Sequence, residues 1–365
     1  MAAWKNCMPV MLKEEEGELT MENFLLKKLD QFYPLYAFSG TLTEYNTQIE
    51  SSLTCGMEQE NQQESQQTQE KEEGKKEKEP GKKERKQQKE KPEKGDQKVA
   101  AKDGESKTGT GKVVEISREK LNDFDYLVQN FYQIDRTTTI DGSELNAQAM
   151  LAKDMTLTGD AEHVQILIYH THSQEGYLDS TPGDPSSSVL ALGERLTQLL
   201  KDQYGYNVMH HTGEYDVKDR DNAYSYSGPA LEQILADHPS IEVVIDLHRD
   251  GVPDTAHLVS EVNGKQTAQI MFFNGLSRTT ANGNIAYLQN PNLADNLAFS
   301  FQMKLAAEEY YPGFARATYL KGYRYNLHYR PKSLLVEVGA QTNTLEEAMN
   351  AMEPLADILH KVLSP

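Results

Sequence analysis

Residues 164–177 read VQILIYHTHSQEGY, an apolar run that ends in polar and ionisable side chains. The apolar part has the length of one buried strand. Residues 187–205 (SSVLALGERLTQLLKDQYG) follow with the apolar spacing of a helix, a serine at the start and a glycine at the end. A strand that leads into a helix is the repeating unit of a parallel sheet, so this stretch points to an α/β fold.

The same alternation continues to the end of the chain. It predicts an α/β domain with a twisted, mostly parallel sheet and helices on both faces. In such sheets ligands and chemistry gather at the carboxyl ends of the strands. Strands are predicted at 206–211, 241–248, 268–274 and 333–339, and helices at 228–239, at 291–310 with a proline in the first turn, and at 343–363.

Three segments are predicted along the chain. Residues 113–365 form the folded domain, which opens with apolar residues on one helical face from Leu121 to Phe131. Residues 57–112 are predicted to be a disordered linker of Lys, Glu and Gln, because they hold too little apolar surface to offset the entropy of ordering. Residues 1–56 form an N-terminal segment with one short helix at 20–33.

The charge of the chain argues against a nucleic-acid partner. The formal net charge is −19, and residues 58–98 contribute none of it because 12 acidic residues balance 12 basic ones. The acidic excess therefore lies mostly in the predicted domain. A phosphate backbone requires Lys and Arg to replace its counterions, so we expect no binding of nucleic acid.

Several classes are excluded by motifs that the sequence lacks. Both cysteines, Cys7 and Cys55, precede the predicted domain, which leaves it no disulfide or cysteine-ligated metal. No G-x-S-x-G elbow and no phosphate-binding glycine loop occurs. No run reaches the 18 apolar residues of a membrane span, and the first residues do not read as a signal peptide.

Ionisable side chains stand at the ends of the predicted strands. His170, His172 and Glu175 follow the first strand, and His248 ends the strand at 241–248. Two histidines and a carboxylate are the ligand set of a catalytic zinc with one open position. The step from His172 to Glu175 lets both converge on one ion at a turn, whereas His170 and His172 share a face only in an extended strand. His248 is the best candidate for the ligand from another strand.

These residues also have structural interpretations. A single histidine at a strand end is more often a hydrogen-bonded packing residue than a ligand. His210 and His211 end a neighbouring strand and are interpreted mainly in this way, with metal ligation as the alternative. Asp246 stands two residues before His248 and is predicted to orient a histidine or a loop.

Glu337 interrupts the apolar strand at 333–339. An ionised carboxylate in such a strand is costly unless it is paired or lies beside a metal. One interpretation is a general base that takes the proton of a metal-activated water. The other is a buried ion pair with Arg220, Arg249 or Arg324.

Four separate stretches of the sequence, which are given at the end of this paragraph in chain order, resemble a known family. Over roughly residues 160–365 it resembles the stage II sporulation protein P family of endospore-forming bacteria. That family is related to the zinc-dependent N-acetylmuramoyl-L-alanine amidases, which cut the amide between the glycan strand and the stem peptide of peptidoglycan. It is also credited with cleavage of peptide cross-links. The stretches are ILIYHTHSQEGY (166–177), VVIDLHRD (243–250), NLADNLAFSFQMKLAAEEYYPG (292–313) and LLVEVGAQTNTLEEA (334–348).

The resemblance implies a role for individual residues. His172 and His248 match the two histidine ligands of the amidases, and Glu337 matches their catalytic glutamate. The amidases carry their glutamate ligand at the start of the next helix, where this sequence has serines. Glu175 is therefore predicted as the third zinc ligand. His170 is then expected beside the ligands or the substrate, and not on the metal.

Two features depart from the family pattern. Residues 323–330 read YRYNLHYR where the family usually shows YNQ, so Tyr325 and Asn326 are kept and Leu327 replaces the glutamine. We expect Asn326 to contact the substrate, and the glutamine contact to be lost or supplied by His328. The family also carries an N-terminal membrane anchor that this sequence does not show. The chain is expected to begin after the anchor and to act in an extracytoplasmic, membrane-associated location.

The resemblance implies a zinc-dependent peptidoglycan hydrolase that cleaves the N-acetylmuramoyl-L-alanine amide, with cross-links as a second target, during engulfment in sporulation. The implied partners are peptidoglycan and the stage II sporulation proteins D and M. One alternative is a zinc carboxypeptidase or deacylase, for which H-x-x-E with a distant histidine is also the expected pattern. The other is an inactive wall-binding scaffold, against which the complete set of four residues argues.

Overall fold

The computed structural model describes residues 114–365 of the chain. The predicted segment 1–56 with its helix, both cysteines and the whole of the predicted linker 57–112 lie outside these residues. The elements in chain order are α1 (Arg118–Leu121), α2 (Phe124–Phe131), β1 (Tyr132–Ile134), α3 (Ala147–Leu151), β2 (Ile166–Tyr169), α4 (Val189–Tyr204), β3 (Val208–His210), α5 (Ala223–Asp237), β4 (Val243–Asp250), β5 (Val259–Val262), β6 (Lys265–Ala268), β7 (Ile270–Gly275), β8 (Arg278–Thr279), β9 (Gly283–Asn284), α6 (Leu293–Tyr310), β10 (Thr318–Lys321), β11 (Lys332–Ala340) and α7 (Leu345–Leu363).

A seven-stranded sheet forms the centre of the molecule, with the strand order β1–β10–β7–β11–β4–β2–β3. Neighbouring strands run parallel everywhere except between β7 and β11, which are antiparallel. The strands β11, β4, β2 and β3 thus share one direction, and β7, β10 and β1 share the other. This confirms the predicted α/β fold with a mostly parallel sheet.

Most of the core lies on one face of the sheet. Helices α4, α6 and α7 pack there against alternate residues of the central strands. Ile166 and Ile168 of β2 and Ile245 of β4 are fully buried in this layer. Because successive strand residues point to opposite faces, their neighbours in the sequence must line the other side.

The second face is covered by α5 and by a segment that includes a 3₁₀ helix at Leu327–Tyr329. Leu231 and Leu235 of α5 pack on Leu167 of β2 and Val244 of β4. Beyond α5, the segment 325–330 crosses the same face next to β7 and β11, and buries Leu327 there. The prediction that helices cover both faces is therefore confirmed, with α5 as the helix of the second face.

Three predicted helix starts need correction. The helix predicted at 228–239 begins at Ala223, because Pro229 lies inside α5 and does not mark its start. Proline removes one backbone donor, and the helix continues through that position. Pro291 precedes α6, which begins at Leu293 after Asn292, so it does not lie in the first turn. The helical face expected from Leu121 to Phe131 is divided into α1 and α2, since Asp123 caps α2 by accepting a hydrogen bond from the backbone N of Tyr126.

The sequence predictions missed two strands of the main sheet, β1 and β10. They pair with each other and contain only three and four residues. Such short runs carry no clear two-residue alternation. Among residues 114–365, no helix combines the length and apolar character that crossing a membrane requires.

Candidate metal centre

The carboxyl end of β4 organises the candidate site. Alternation along β4 places Asp246 and His248 on the face covered by α5. Glu337 of β11 is the register partner of His248 and lies on the same face. Tyr169, the last residue of β2, pairs with Asp246, so the following segment 170–175 leaves the sheet beside β4. The parallel strands thus bring three predicted strand ends to one place.

His172, Glu175 and His248 come together as a buried cluster. Nδ1 of His172 lies 3.6 Å from Oε1 of Glu175, and Nδ1 of His248 lies 3.5 Å from Oε2 of the same carboxylate. The two imidazole rings stand nearly perpendicular with centroids 5.0 Å apart. One ligand atom from each residue lies within 4.8 Å of the others.

This cluster fits a tetrahedral cation. Ligand atoms bound to zinc at tetrahedral positions stand about 3.3 Å from one another. Each histidine nitrogen lies at about this distance from one oxygen of Glu175, Nδ1 of His172 from Oε1 and Nδ1 of His248 from Oε2. Burial lowers the pKa of His172 to about 3, so this imidazole is neutral and offers a lone pair. Three donors also leave one position open for water.

Glu175 is fixed through both carboxylate oxygens. Oε1 accepts a hydrogen bond from Nη2 of Arg220 at 2.7 Å, and Oε2 accepts one from the backbone N of Arg249 at 2.9 Å. Burial opposes the charge of Glu175, but His248 and the other nearby cations outweigh it and hold the pKa well below the usual range. The carboxylate is therefore ionised and oriented, as a metal ligand must be.

His248 is held from its other side by Asp246. Its Nε2 lies 2.7 Å from Oδ1 of Asp246, in an ion contact that is too bent for a hydrogen bond. Asp246 also accepts hydrogen bonds from the backbone N and Oγ1 of Thr171, at 2.9 and 2.7 Å. Burial acts to lower the pKa of His248, but the carboxylates of Asp246 and Glu175 raise it well above the usual range. Asp246 thus stands where a carboxylate that orients a ligand histidine is needed.

Glu337 offers an unpartnered oxygen beside this cluster. Its Oε2 is buried and has no hydrogen-bond partner in the described part of the chain. Glu337 lines a small cavity together with His172, Glu175 and His248. Burial raises the pKa of Glu337 to about 8, and the carboxylate of Asp250 adds to the shift.

The three arginines considered as partners of Glu337 are bound elsewhere. Arg220 pairs with Glu175 and lies 3.6 Å from Asp216. Nε of Arg249 donates to the backbone O of Gly176 at 2.8 Å, and Nη1 of Arg324 donates to the backbone O of Gln289 at 3.2 Å. These contacts give the three guanidinium groups other acceptors, although the charge of Arg249 still acts to lower the pKa of Glu337.

His170 turns away from the cluster. Its Nδ1 donates to the backbone O of Leu247 at 2.7 Å, and its Nε2 lies 3.0 Å from Nε2 of His210. The His170 and His210 rings meet edge to face, with centroids 5.2 Å apart. Nε2 of the neighbouring His211 lies 2.6 Å from the hydroxyl oxygen of Tyr215. Neither His210 nor His211 joins the cluster. Because His170 also lies outside it, the segment 170–175 contributes His172 and Glu175 (H-x-x-E) to the cluster, and not His170 and His172 (H-x-H).

The His170–His210 contact depends on a glycine in α4. A Cβ atom at Gly193 would lie 2.4 Å from Nε2 of His210 and 2.5 Å from Nε2 of His170. Both distances are far below van der Waals contact, and both rings are largely enclosed. Gly193 therefore provides the space in which the two rings meet.

Replacement of Gly193 by alanine is expected to destabilise the fold. In an ordinary helix interior this change stabilises by about 1 kcal/mol. Here the new methyl group must displace two buried rings, and overpacking of this kind costs about 1–3 kcal/mol. Thermal unfolding with a chelator present should show a melting temperature several degrees lower. Gln198→Ala, on an exposed position of the same helix, is the control, and an increased melting temperature for Gly193→Ala would contradict the expectation.

The segment 325–330, which departs from the family pattern, packs against α5 and the sheet. Asn326 has a left-handed backbone with φ of 55°, and its Nδ2 donates to Oγ of Ser227 in α5 at 3.0 Å. Leu327, in place of the family's glutamine, is 2% exposed and packs in the core of the second face. Burial lowers the pKa of His328 to about 4, and its ring lies against Tyr329. The expected substrate contact of Asn326 stays a prediction.

Aromatic side chains that the sequence did not single out complete the cavity wall. Tyr224 packs edge to face against His172, with ring centroids 5.7 Å apart. Tyr325 contacts the rings of Tyr224 and Phe273 at 5.4 and 4.8 Å. Tyr224 lies in the part of α5 that precedes the predicted helix start, and Phe273 reads as an ordinary strand residue. No motif or spacing in the sequence marked Tyr224 or Phe273 as part of a site.

Comparisons with solved structures give low overall similarity. An N-acetylmuramoyl-L-alanine amidase of Nostoc punctiforme is 15% identical with a TM-score of 0.34, and the match covers 54% of this chain and 96% of that one. An N-acetylmuramoyl-L-alanine amidase from Clostridium difficile 630 is 14% identical with a TM-score of 0.33, over 55% of this chain and 94% of that one. Likeness at this level transfers no residue role.

Sequence comparison is more informative. Stage II sporulation protein P of Bacillus subtilis (strain 168) is 25% identical over 225 residues, which are 56% of this chain and 52% of that protein. The match thus spans about half the length of that relative. The sequence profile of the family described as Stage II sporulation protein P matches residues 21–360, most of the chain. The protein therefore belongs to the stage II sporulation protein P family.

Proposed function

We propose that the protein is a zinc-dependent peptidoglycan hydrolase that cleaves the amide bond between N-acetylmuramic acid and L-alanine, with peptide cross-links as a second target. The observation that carries the proposal is the buried cluster of His172, Glu175 and His248 beside Glu337, whose Oε2 has no hydrogen-bond partner in the described part of the chain. Family membership supports the substrate class.

Each residue of the site would have a separate role in the reaction. His172, Glu175 and His248 would hold the zinc, which when bound acidifies a water molecule and polarises the amide carbonyl. Oε2 of Glu337 would accept the proton of the attacking water and then deliver it to the leaving amide nitrogen. Arg220 and Asp246 would keep Glu175 and His248 in place, through the contacts described above.

Defined muropeptides provide the direct test. The protein loaded with zinc is expected to release intact stem peptides from glycan, and mass spectrometry of the products identifies the bond that is cut. Activity should disappear with a chelator and return with added zinc. Release of single terminal amino acids would instead identify a carboxypeptidase. Wall binding without any cleavage by the zinc-loaded protein would identify a scaffold.

The setting of this activity belongs to the same proposal. Peptidoglycan lies outside the cytoplasmic membrane, so the protein would act in an extracytoplasmic, membrane-associated location during engulfment. The stage II sporulation proteins D and M would be its partners. Co-purification of either protein with a tagged form from sporulating cells tests this part, and the cleavage assay does not depend on it.

A further inference from the structure

We infer that His210 is a positioning residue for the metal centre. His210 fixes the ring of His170, and His170 in turn fixes the backbone that carries His248. The inference rests on the proposed function, since His248 is one of the proposed ligands. No family motif points to His210. What points to it is a chain of hydrogen bonds that begins on β3 and ends one residue before His248.

The chain is built from two contacts of the His170 ring. The carbonyl of Leu247 can only accept, so Nδ1 of His170 carries a hydrogen and donates it. His170 is fully buried, so its Nε2 also needs a hydrogen-bond partner within the protein. That partner is Nε2 of His210, 3.0 Å away. Hydrogen bonds therefore join His210 to His170 and His170 to the backbone of Leu247.

The surroundings keep this arrangement in place. The His210 side chain is 6% exposed, and Gly193 leaves just enough room for both rings. Nδ1 of His210 lies 3.2 Å from Oε2 of Glu194, but that carboxylate is 73% exposed, so the outer end contributes little. The hydrogen bond from His170 to Leu247 has the larger effect on the site, because the carbonyl of Leu247 belongs to the peptide unit that joins Leu247 to His248. A shift of this carbonyl turns His248 relative to Glu175.

Zinc affinity measures the effect, by competition of the purified protein against a chromogenic chelator. His210→Ala removes the hydrogen-bond partner of His170, so affinity should fall about 10- to 100-fold, as is usual when a group that orients a ligand is lost. His210→Gln can place an amide group near the same point, which can donate or accept, and should stay within about threefold of the unaltered protein. His211→Ala is the matched control, since His211 contacts Tyr215 instead, and its zinc affinity should be unchanged.

A second measurement does not need the metal. Nitrogen-detected NMR of histidine-labelled, metal-free protein should show the His248 ring signals displaced in His210→Ala and unchanged in His211→Ala. If His210→Ala does not fold, His210→Asn replaces it, because the shorter amide does not reach His170.

The outcomes separate the two proposals. Unchanged zinc affinity together with an unmoved His248 signal in His210→Ala would overturn the inference. Equal losses in His210→Ala and His210→Gln would overturn it as well, because the effect would then come from packing and not from the hydrogen bond to His170. If the unaltered protein binds no zinc, the proposed function fails, and the displacement of the His248 signal alone decides for or against the role of His210.

Discussion

Replacement of Glu337 by glutamine is expected to reduce cleavage of peptidoglycan by about 100- to 10,000-fold, the usual contribution of a general base. Glutamine has the same shape but cannot take a proton. Glu337 is not one of the three residues in the buried cluster, so the zinc content of the purified variant should be unchanged. The measurement combines the initial rate on purified cell wall with the metal content of the same sample.

The matched control is Glu346→Gln, which makes the same chemical change at an exposed position at the start of α7. Its rate and its zinc content should equal those of the unaltered protein. Full activity in Glu337→Gln would remove Glu337 from the mechanism. Loss of activity together with loss of zinc would instead make Glu337 a ligand.

Replacement of His172 by alanine is expected to abolish tight zinc binding. The change removes one of three donors, so the loss should exceed the roughly 10- to 100-fold that follows when an outer partner of a ligand is removed. Thermal unfolding offers a second readout, because a ligand present at about 1,000 times its Kd stabilises the folded state by about 4 kcal/mol. The unaltered protein should show a large increase in melting temperature with zinc, and His172→Ala should show almost none.

Two other histidines make this result specific. His163→Ala, at an exposed surface position, should respond to zinc like the unaltered protein. His170→Ala should bind zinc more weakly than the unaltered protein but more tightly than His172→Ala, because His170 contacts Leu247 and not the cluster. The reverse order of the last two variants would mean that H-x-H supplies the ligand.

The parts of the fold that could be predicted are those with long and regular patterns. The eight residues of β4 and the 16 residues of α4 appear where the apolar run and the serine and glycine caps place them. The predictions were wrong where a local sequence rule for helix starts was overridden by contacts between distant segments. Gly228 and Pro229 look like a helix start, yet α5 extends one and a half turns further because Tyr224 and Ser227 contact the segment 325–330.

The candidate site was predictable to the extent that it is built from strand ends. Because the ends of parallel strands meet at one edge, His172, Glu175 and His248 could be placed together from their positions in the sequence alone. The environment of Glu175 could not, since Arg220 reaches it from a 3₁₀ helix 45 positions away. The contact between His170 and His210 depends on the absence of a side chain at Gly193. The spacing of residues in the sequence gives no indication that a glycine on another element leaves this space.

The unequal covering of the two faces has a consequence for motion. Three helices protect one face of the sheet, whereas the cavity is walled on the other by α5 and the segment 325–330. Contacts such as those from Asn326 to Ser227 and from the Tyr329 hydroxyl to the backbone O of Gly228 hold that segment on α5. Local opening that broke these contacts would widen the cavity from this side. The sheet that positions the three donors would keep its strand pairing, because the segment takes no part in it.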